Sequence, residues 1–194
     1  MIRCFFCLEP DHSVRKNIWE WIQRKRRSAP DLKWVKWENL HITLKFCGEI
    51  VPDLRDDLMV KIGPALQKWK GTSFEMSLGG VGVFPGTKRP RVLWTAPLTG
   101  QSEIIDLQGM IEKECAGSGL ALERRPFSPH LTLARVGRGS GGGNFFLDLL
   151  NDRPCFGSSR IKVLTFMESI LGPKGPVYTP IFRYDLENTS VETL

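Results

Sequence analysis

Long hydrophobic runs are missing from this chain: no stretch approaches the ~18 consecutive apolar residues of a membrane helix. Its start, Met1-Ile2-Arg3-Cys4-Phe5-Phe6, has neither the extended apolar segment nor the cleavage site of an export signal. A cytoplasmic protein with no membrane partner is therefore expected. Cysteines are few and odd in number, five at irregular spacing, which argues against a disulfide framework. Cys4 and Cys7 form a Cys-x-x-Cys, but in a strand that spacing sends the two sulfurs to opposite faces, and no second pair completes a zinc site. Free thiols packed as small hydrophobes are expected. A stretch from Gly137 to Gly143 holds five glycines in seven residues. It lacks the Gly-Lys-Ser or Gly-Lys-Thr that completes a phosphate cradle, so it reads as a loop.

Histidine is scarcer still, with three in the chain, and two of the three begin the same four-residue word: His41-Ile42-Thr43-Leu44 and His130-Leu131-Thr132-Leu133. Each word lies where polar and apolar residues alternate, the signature of a β-strand with one buried face. Each His and its Thr then share one face, while Ile42 and Leu44, or Leu131 and Leu133, point the other way. The apolar pair anchors and the polar pair lines a cleft. The third histidine, His12, sits at a helix start outside any such word and reads as a surface residue.

An ordinary mixture, 41% hydrophobic and 25% charged over 194 residues, predicts one folded unit spanning 1–194. The net charge of +6 suits a polyanion such as RNA without selecting one. A strand from Arg3 to Glu9 leads through Pro10-Asp11-His12-Ser13 into a helix with Val14, Ile18, Trp21 and Ile22 on one face. That helix ends in Arg24-Lys25-Arg26-Arg27, cations that complement its macrodipole. Extended segments follow at Lys33 to Trp37 and Leu40 to Cys47, then a helix opened by Pro52. Strands at Ser73 to Leu78 and Arg91 to Leu98, a helix from Gln101 to Ala116 and the second His strand come next. A short helix at Phe145 to Asn151 precedes two final strands, Arg160 to Leu171 and Tyr178 to Leu186. The order lacks the rhythm of a parallel βαβ sheet. The expected class is α+β: two pseudo-symmetric lobes with mostly antiparallel sheets lining a central groove, and helices on the outside.

Two imidazoles facing one atom suit a reaction that removes a proton on one side and delivers one on the other, both at a reference pKa of about 6.5. Phosphoryl transfer without a metal has that need, because the attacking oxygen loses a proton while the departing one gains it, roughly in line through phosphorus. Thr43 and Thr132, roughly 7 Å along the strand from their histidines, offer hydroxyl donors to non-bridging oxygens. Taken singly, such a tetrad is ordinary strand sequence around a structural histidine. The matched pair points to catalysis.

These residues resemble the 2H phosphoesterases, named for two His-x-Thr or His-x-Ser motifs, and within them the bacterial and archaeal RNA 2′,3′-cyclic phosphodiesterases, also called 2′-5′ RNA ligases. The likeness runs through Arg3-Cys4-Phe5-Phe6, Trp34-Val35, Glu38-Asn39-Leu40-His41-Ile42-Thr43-Leu44-Lys45-Phe46 and Gly48-Glu49. It continues in Val83-Phe84-Pro85, Pro90-Arg91-Val92-Leu93-Trp94, Arg125-Pro126-Phe127-Ser128-Pro129-His130-Leu131-Thr132-Leu133-Ala134-Arg135 and Glu168-Ser169. The resemblance implies hydrolysis of an RNA-terminal 2′,3′-cyclic phosphate to a 2′-phosphate without a metal. A monomer with no cofactor, acting on RNA ends or small cyclic nucleotides, is expected. It implies His41 and His130 as the catalytic pair, His130 as base toward water and His41 as acid toward the leaving 3′-oxygen, with Thr43, Thr132 and Arg135 binding the phosphate.

Arg135 rests on the resemblance alone, because strict alternation from His130 places it on the opposite face. A strand end or a bulge would bring it back. Trp37 stands where the family pattern has Pro. Phe46 and Phe127, beside the motifs, are candidates for stacking on a nucleobase. Two alternatives stay open: joining of RNA ends through a 2′-5′ linkage at the same site, and a non-catalytic RNA or nucleotide-binding module that keeps the cleft.

Overall fold

The computed structural model describes residues 1–69, 71–137, 145–173, 175–187 and 191–193, with backbone alone at 145–147 and 191–193. Most of the expected Gly137 to Gly143 loop lies outside the described residues. The elements run β1 (Ile2–Leu8), α1 (His12–Lys25), β2 (Leu32–Trp34), a 3-10 turn (Trp37–Asn39), β3 (Ile42–Ile50), α2 (Pro52–Lys68), β4 (Phe74–Phe84) and β5 (Val92–Pro97). They continue with α3 (Gln101–Gly117), β6 (Leu131–Val136), α4 (Phe145–Asn151), β7 (Cys155–Ile161), β8 (Val163–Gly172), β9 (Gly175–Asp185) and β10 (Val191–Thr193). The class is α+β.

Local chemistry explains the element ends that frame the site. Asp11 caps α1, its carboxylate accepting from the Val14 amide at 3.0 Å, a cap worth about 1 kcal/mol. Pro52 occupies the first turn of α2, where its missing N–H is no loss. Trp37 opens the 3-10 turn just ahead of the first tetrad. It stays compatible with that turn in place of proline, its ring meeting His12 edge-on at 5.2 Å and lying under the Arg15 guanidinium.

All the strand pairings are antiparallel and join one sheet in the order β10-β9-β8-β1-β3-β6-β5-β4-β7, with β2 added on β6. The two halves expected from the repeat are the two halves of this sheet, joined where Ile42 of β3 pairs with Leu131 of β6. One face carries the core. Cys4, Phe6 and Leu8 of β1, Ile42 and Leu44 of β3, and Leu131 and Leu133 of β6 pack there with Ile18 and Ile22 of α1, Leu58 and Ile62 of α2, and Leu107 and Ile111 of α3. The other face of the central strands holds a small cluster of Phe5, Cys7 and Met167 with Tyr178 against it. Cys4 and Cys7 thus lie on opposite faces, both as buried free thiols.

Three strand expectations need correction. The Arg160 to Leu171 segment is two strands that break at Lys162, β7 running back to Cys155 and lying at the far end of the sheet from β8. β4 does not stop at Leu78 but continues to Phe84, with a register shift between Gly79 and Gly82 and Gly80 at φ +62°. The last two strands run past their expected ends at Leu171 and Tyr178, β8 reaching Gly172 and β9 beginning at Gly175, where the two pair. Among the described residues no helix is long and apolar enough to cross a membrane.

Candidate active site

The Ile42 and Leu131 pairing is antiparallel, so it sets His41 across from Thr132 and Thr43 across from His130. Ile42 and Leu131 are themselves fully buried on the core face, which turns all four polar side chains to the other side of the sheet. A short local pairing thus folds the sequence repeat into a two-fold constellation.

Each histidine is held by the same local device. His41 Nδ1 lies 2.9 Å from the Asn39 carbonyl and His130 Nδ1 lies 2.8 Å from the Ser128 carbonyl, in both cases two residues back along the chain. A carbonyl only accepts, so each ring carries its proton on Nδ1, which leaves Nε2 as the working nitrogen. At His41, Nε2 takes the Thr43 hydroxyl at 3.1 Å.

The rings are walled by aromatics. Phe5 stacks on His41 at 4.9 Å between centroids, and Tyr178 meets it edge-on at 5.3 Å. On the other side Phe84 meets His130 edge-on at 5.0 Å and lies tilted against Trp94 at 4.9 Å. Burial pushes the His41 imidazole down to about 4. The Asn39 carbonyl opposes this, and the positive charges of Arg135 and His130 add to it. His41 is therefore uncharged at neutral pH in the protein alone.

Arg135 lies on the same face as the histidines, and the reason is a bulge. Across β5 and β6, Leu93 pairs with Ala134 and Trp94 with Thr132, so Leu133 is an extra residue. Leu133 and Ala134 are both buried, the alternation slips by one, and Arg135 emerges beside Val92 on the polar face. Strict alternation would have sent it to the core. The first tetrad repeats the device: Lys45 pairs with Phe6 and Thr43 with Cys7, leaving Leu44 as the extra residue, and Phe46 emerges on the polar face at the position equivalent to Arg135.

Phe46 is 46% exposed, with the Arg3 guanidinium 4.4 Å over its ring. Phe127 is half-buried and packs against the main core. His12 is exposed on α1, with Trp37 against its ring. Sequence reasoning missed Phe5, Phe84, Tyr178 and Asn39 as parts of the site. Asn39 ties the first tetrad to the β8–β9 turn, its Nδ2 donating to the Pro176 carbonyl at 3.0 Å. A signal existed for Phe5: it alternates with Cys4 and Phe6, so it had to face away from the core. Among the described residues no group of three His, Cys, Asp or Glu side chains is placed to hold a metal ion.

Residues 14–142 match the family described as the 2′-5′ RNA ligase superfamily. The chain is 31% identical over 154 residues to a protein of Aeropyrum pernix named RNA 2′,3′-cyclic phosphodiesterase, covering 78% of this chain and 85% of that one. It is 31% identical over 187 residues to a protein of the same name from Methanothermobacter thermautotrophicus, covering 94% and 98%. Among solved structures, Escherichia coli LigT complexed with 3′-AMP superposes with a TM-score of 0.75 at 25% identity, covering 95% of this chain and 98% of that one. A family match across most of the sequence, joined to relatives of this similarity, establishes that the chain belongs to the 2′-5′ RNA ligase superfamily.

Proposed function

We propose that this protein is an RNA 2′,3′-cyclic phosphodiesterase, opening a terminal cyclic phosphate to a 2′-phosphate by paired-histidine acid–base catalysis. The observation that carries the reading is the Ile42 and Leu131 register, which sets two imidazoles and two threonine hydroxyls on one face of the sheet. Relatives named RNA 2′,3′-cyclic phosphodiesterase and the nucleotide in the LigT complex support it.

In this mechanism His130, its proton held on Nδ1 by the Ser128 carbonyl, uses Nε2 to take a proton from water. The water oxygen bonds to phosphorus as the bond to the 3′-oxygen breaks, and His41 delivers a proton to that oxygen. Thr43, Thr132 and Arg135 bind the non-bridging oxygens, where negative charge must be held in the transition state. His41 meets the acid role because a phosphodiester brings negative charge beside it. That charge reverses the effect of Arg135 and raises the imidazole, so the proton arrives together with the substrate.

The test is turnover of a short oligonucleotide ending in a 2′,3′-cyclic phosphate. His41→Ala and His130→Ala each should lower kcat by at least about a hundredfold with the fold intact, and EDTA should leave the wild-type rate unchanged. Full activity in either variant, or loss with EDTA, rejects the mechanism. The family description favours one further reading, formation of a 2′-5′ linkage at the same site by the reverse reaction. Supplying a 5′-hydroxyl RNA partner and measuring joined against hydrolysed product separates the two.

A further inference from the structure

The duplicated bulge exposes a difference between the two halves. In the second half the position five residues past the histidine is Arg135, whereas in the first half it is Phe46. The first half recovers a cation from another strand. Arg3 lies two residues before Phe5 on β1, and the side chains of Phe5 and Cys7 face away from the main core, so Arg3 shares their face. Its guanidinium sits 4.4 Å over the Phe46 ring, an arrangement that fixes a planar cation without neutralising it. Glu49 is the cross-strand neighbour of Arg3, yet among the described residues no carboxylate lies within 4.0 Å of the guanidinium. Tyr178, the edge-on neighbour of His41, feels the positive charges of both Arg135 and Arg3.

Resting on the proposed reaction, we infer that Arg3 binds a second phosphate of the substrate, the phosphodiester joining the terminal nucleotide to its 5′ neighbour. Along β1 the Cα of Arg3 stands about 13 Å from the Cys7 level, where Thr43 lies, and the length of the side chain recovers part of that. The guanidinium lies over Phe46, which pairs with Phe5, two residues along β1 from the Cys7 level, so it is set off from the tetrad along the strands, on the side to which we assign the neighbouring nucleotide. Phe46 acts as a positioning residue for Arg3. The preferred substrate class is accordingly an oligonucleotide end rather than a cyclic mononucleotide bearing a 5′-hydroxyl.

The experiment compares three substrates: a dinucleotide with a terminal 2′,3′-cyclic phosphate, the same dinucleotide with an uncharged methylphosphonate linkage, and a 2′,3′-cyclic mononucleotide with a 5′-hydroxyl. Arg3→Gln should lower kcat/KM for the charged dinucleotide by about tenfold, the scale of one charge-assisted hydrogen bond, and leave the mononucleotide within about twofold. Wild type should lose the same factor on the methylphosphonate, and Arg3→Gln should be indifferent to it. Equal losses on all three substrates, or none, overturn the inference. The same result follows if Lys33→Gln, at the cross-strand neighbour of Arg135, shows the substrate dependence in place of Arg3→Gln. If wild type opens none of the three, the proposed reaction itself has failed, an outcome separate from these. Matching thermal midpoints of wild type and Arg3→Gln show that the comparison reports binding rather than folding.

Discussion

At the scale of single residues, His41 carries the most distinctive electrostatics. With burial and the neighbouring cations holding its imidazole at about 4, the ring binds fewer protons in the folded protein than its ordinary value would give. Any anion placed beside Nε2 prefers the charged ring and raises that value. The sign is then fixed: affinity for an anion that keeps its own charge, such as sulfate, should rise as pH falls from neutral toward 4 and level off below it. NMR of the imidazole should show His41 titrating near 4 in the protein alone and at higher pH with sulfate bound. Arg135→Gln should raise the His41 value by removing a positive charge and weaken sulfate by about tenfold, since a charged hydrogen bond contributes about 1.5–3 kcal/mol. A His41 resonance titrating at its ordinary value would contradict the burial on which this rests.

Elements show what a sequence can and cannot disclose. The tetrads were readable because the side-chain period of a strand is two, and Ile42 with Leu44 and Leu131 with Leu133 mark the inner face unambiguously. Arg135 was not readable, because the Leu133 bulge depends on pairing with β5, a partner distant in sequence. β7 was missed from Cys155 onward because Gly157, Ser158 and Ser159 carry little strand propensity. Its place is fixed instead by pairing with β4 and by α1, whose Asn17 Nδ2 donates to the Phe156 carbonyl at 2.9 Å. The far end of β4 was hidden by Gly79, Gly80 and Gly82, which sequence alone reads as loop and which here accommodate a register shift. The Ile42 and Leu131 contact yields a prediction at this scale. Either residue changed to alanine should cost about 2–5 kcal/mol, measured by denaturant unfolding. Turnover should also fall at temperatures well below the melt, because the same pairing sets the histidines across from each other. Ile42→Val, costing about 0.5–1.5 kcal/mol, should preserve turnover, and an Ile42→Ala protein with wild-type kcat would show that the register is held elsewhere.

Taken as a whole molecule, the chain has a repeat in its sequence but not in its core. One hydrophobic cluster runs from Phe166, Phe182 and Tyr184 at the β8–β9 end of the sheet, through Phe6, Ile42 and Leu131 at the centre, to Met76, Leu78 and Phe156 at the β4–β7 end. Helices tie the halves further. α1 follows β1 in the first half yet packs on β7 at the other end of the sheet, with the Asp11 amide donating to Ser159 Oγ at 2.7 Å and Trp21 Nε1 to Asp152 Oδ2 at 2.9 Å. Lys45 of β3 reaches Glu112 of α3 at 2.6 Å, and both are largely buried, so that either partner alone would be left as an uncompensated charge. Neither half can therefore release its apolar surface without exposing the other's. Unfolding in urea should be a single transition, with tryptophan fluorescence and far-ultraviolet circular dichroism giving superimposable curves. Glu112→Gln should shift the whole transition to lower urea without splitting it, because the Lys45 ammonium it strands lies under the shared core. Two separated transitions, or a fluorescence curve displaced from the dichroism, would mean that the halves fold independently, and that the His41 and His130 geometry is held by contact between two bodies rather than by one continuous sheet.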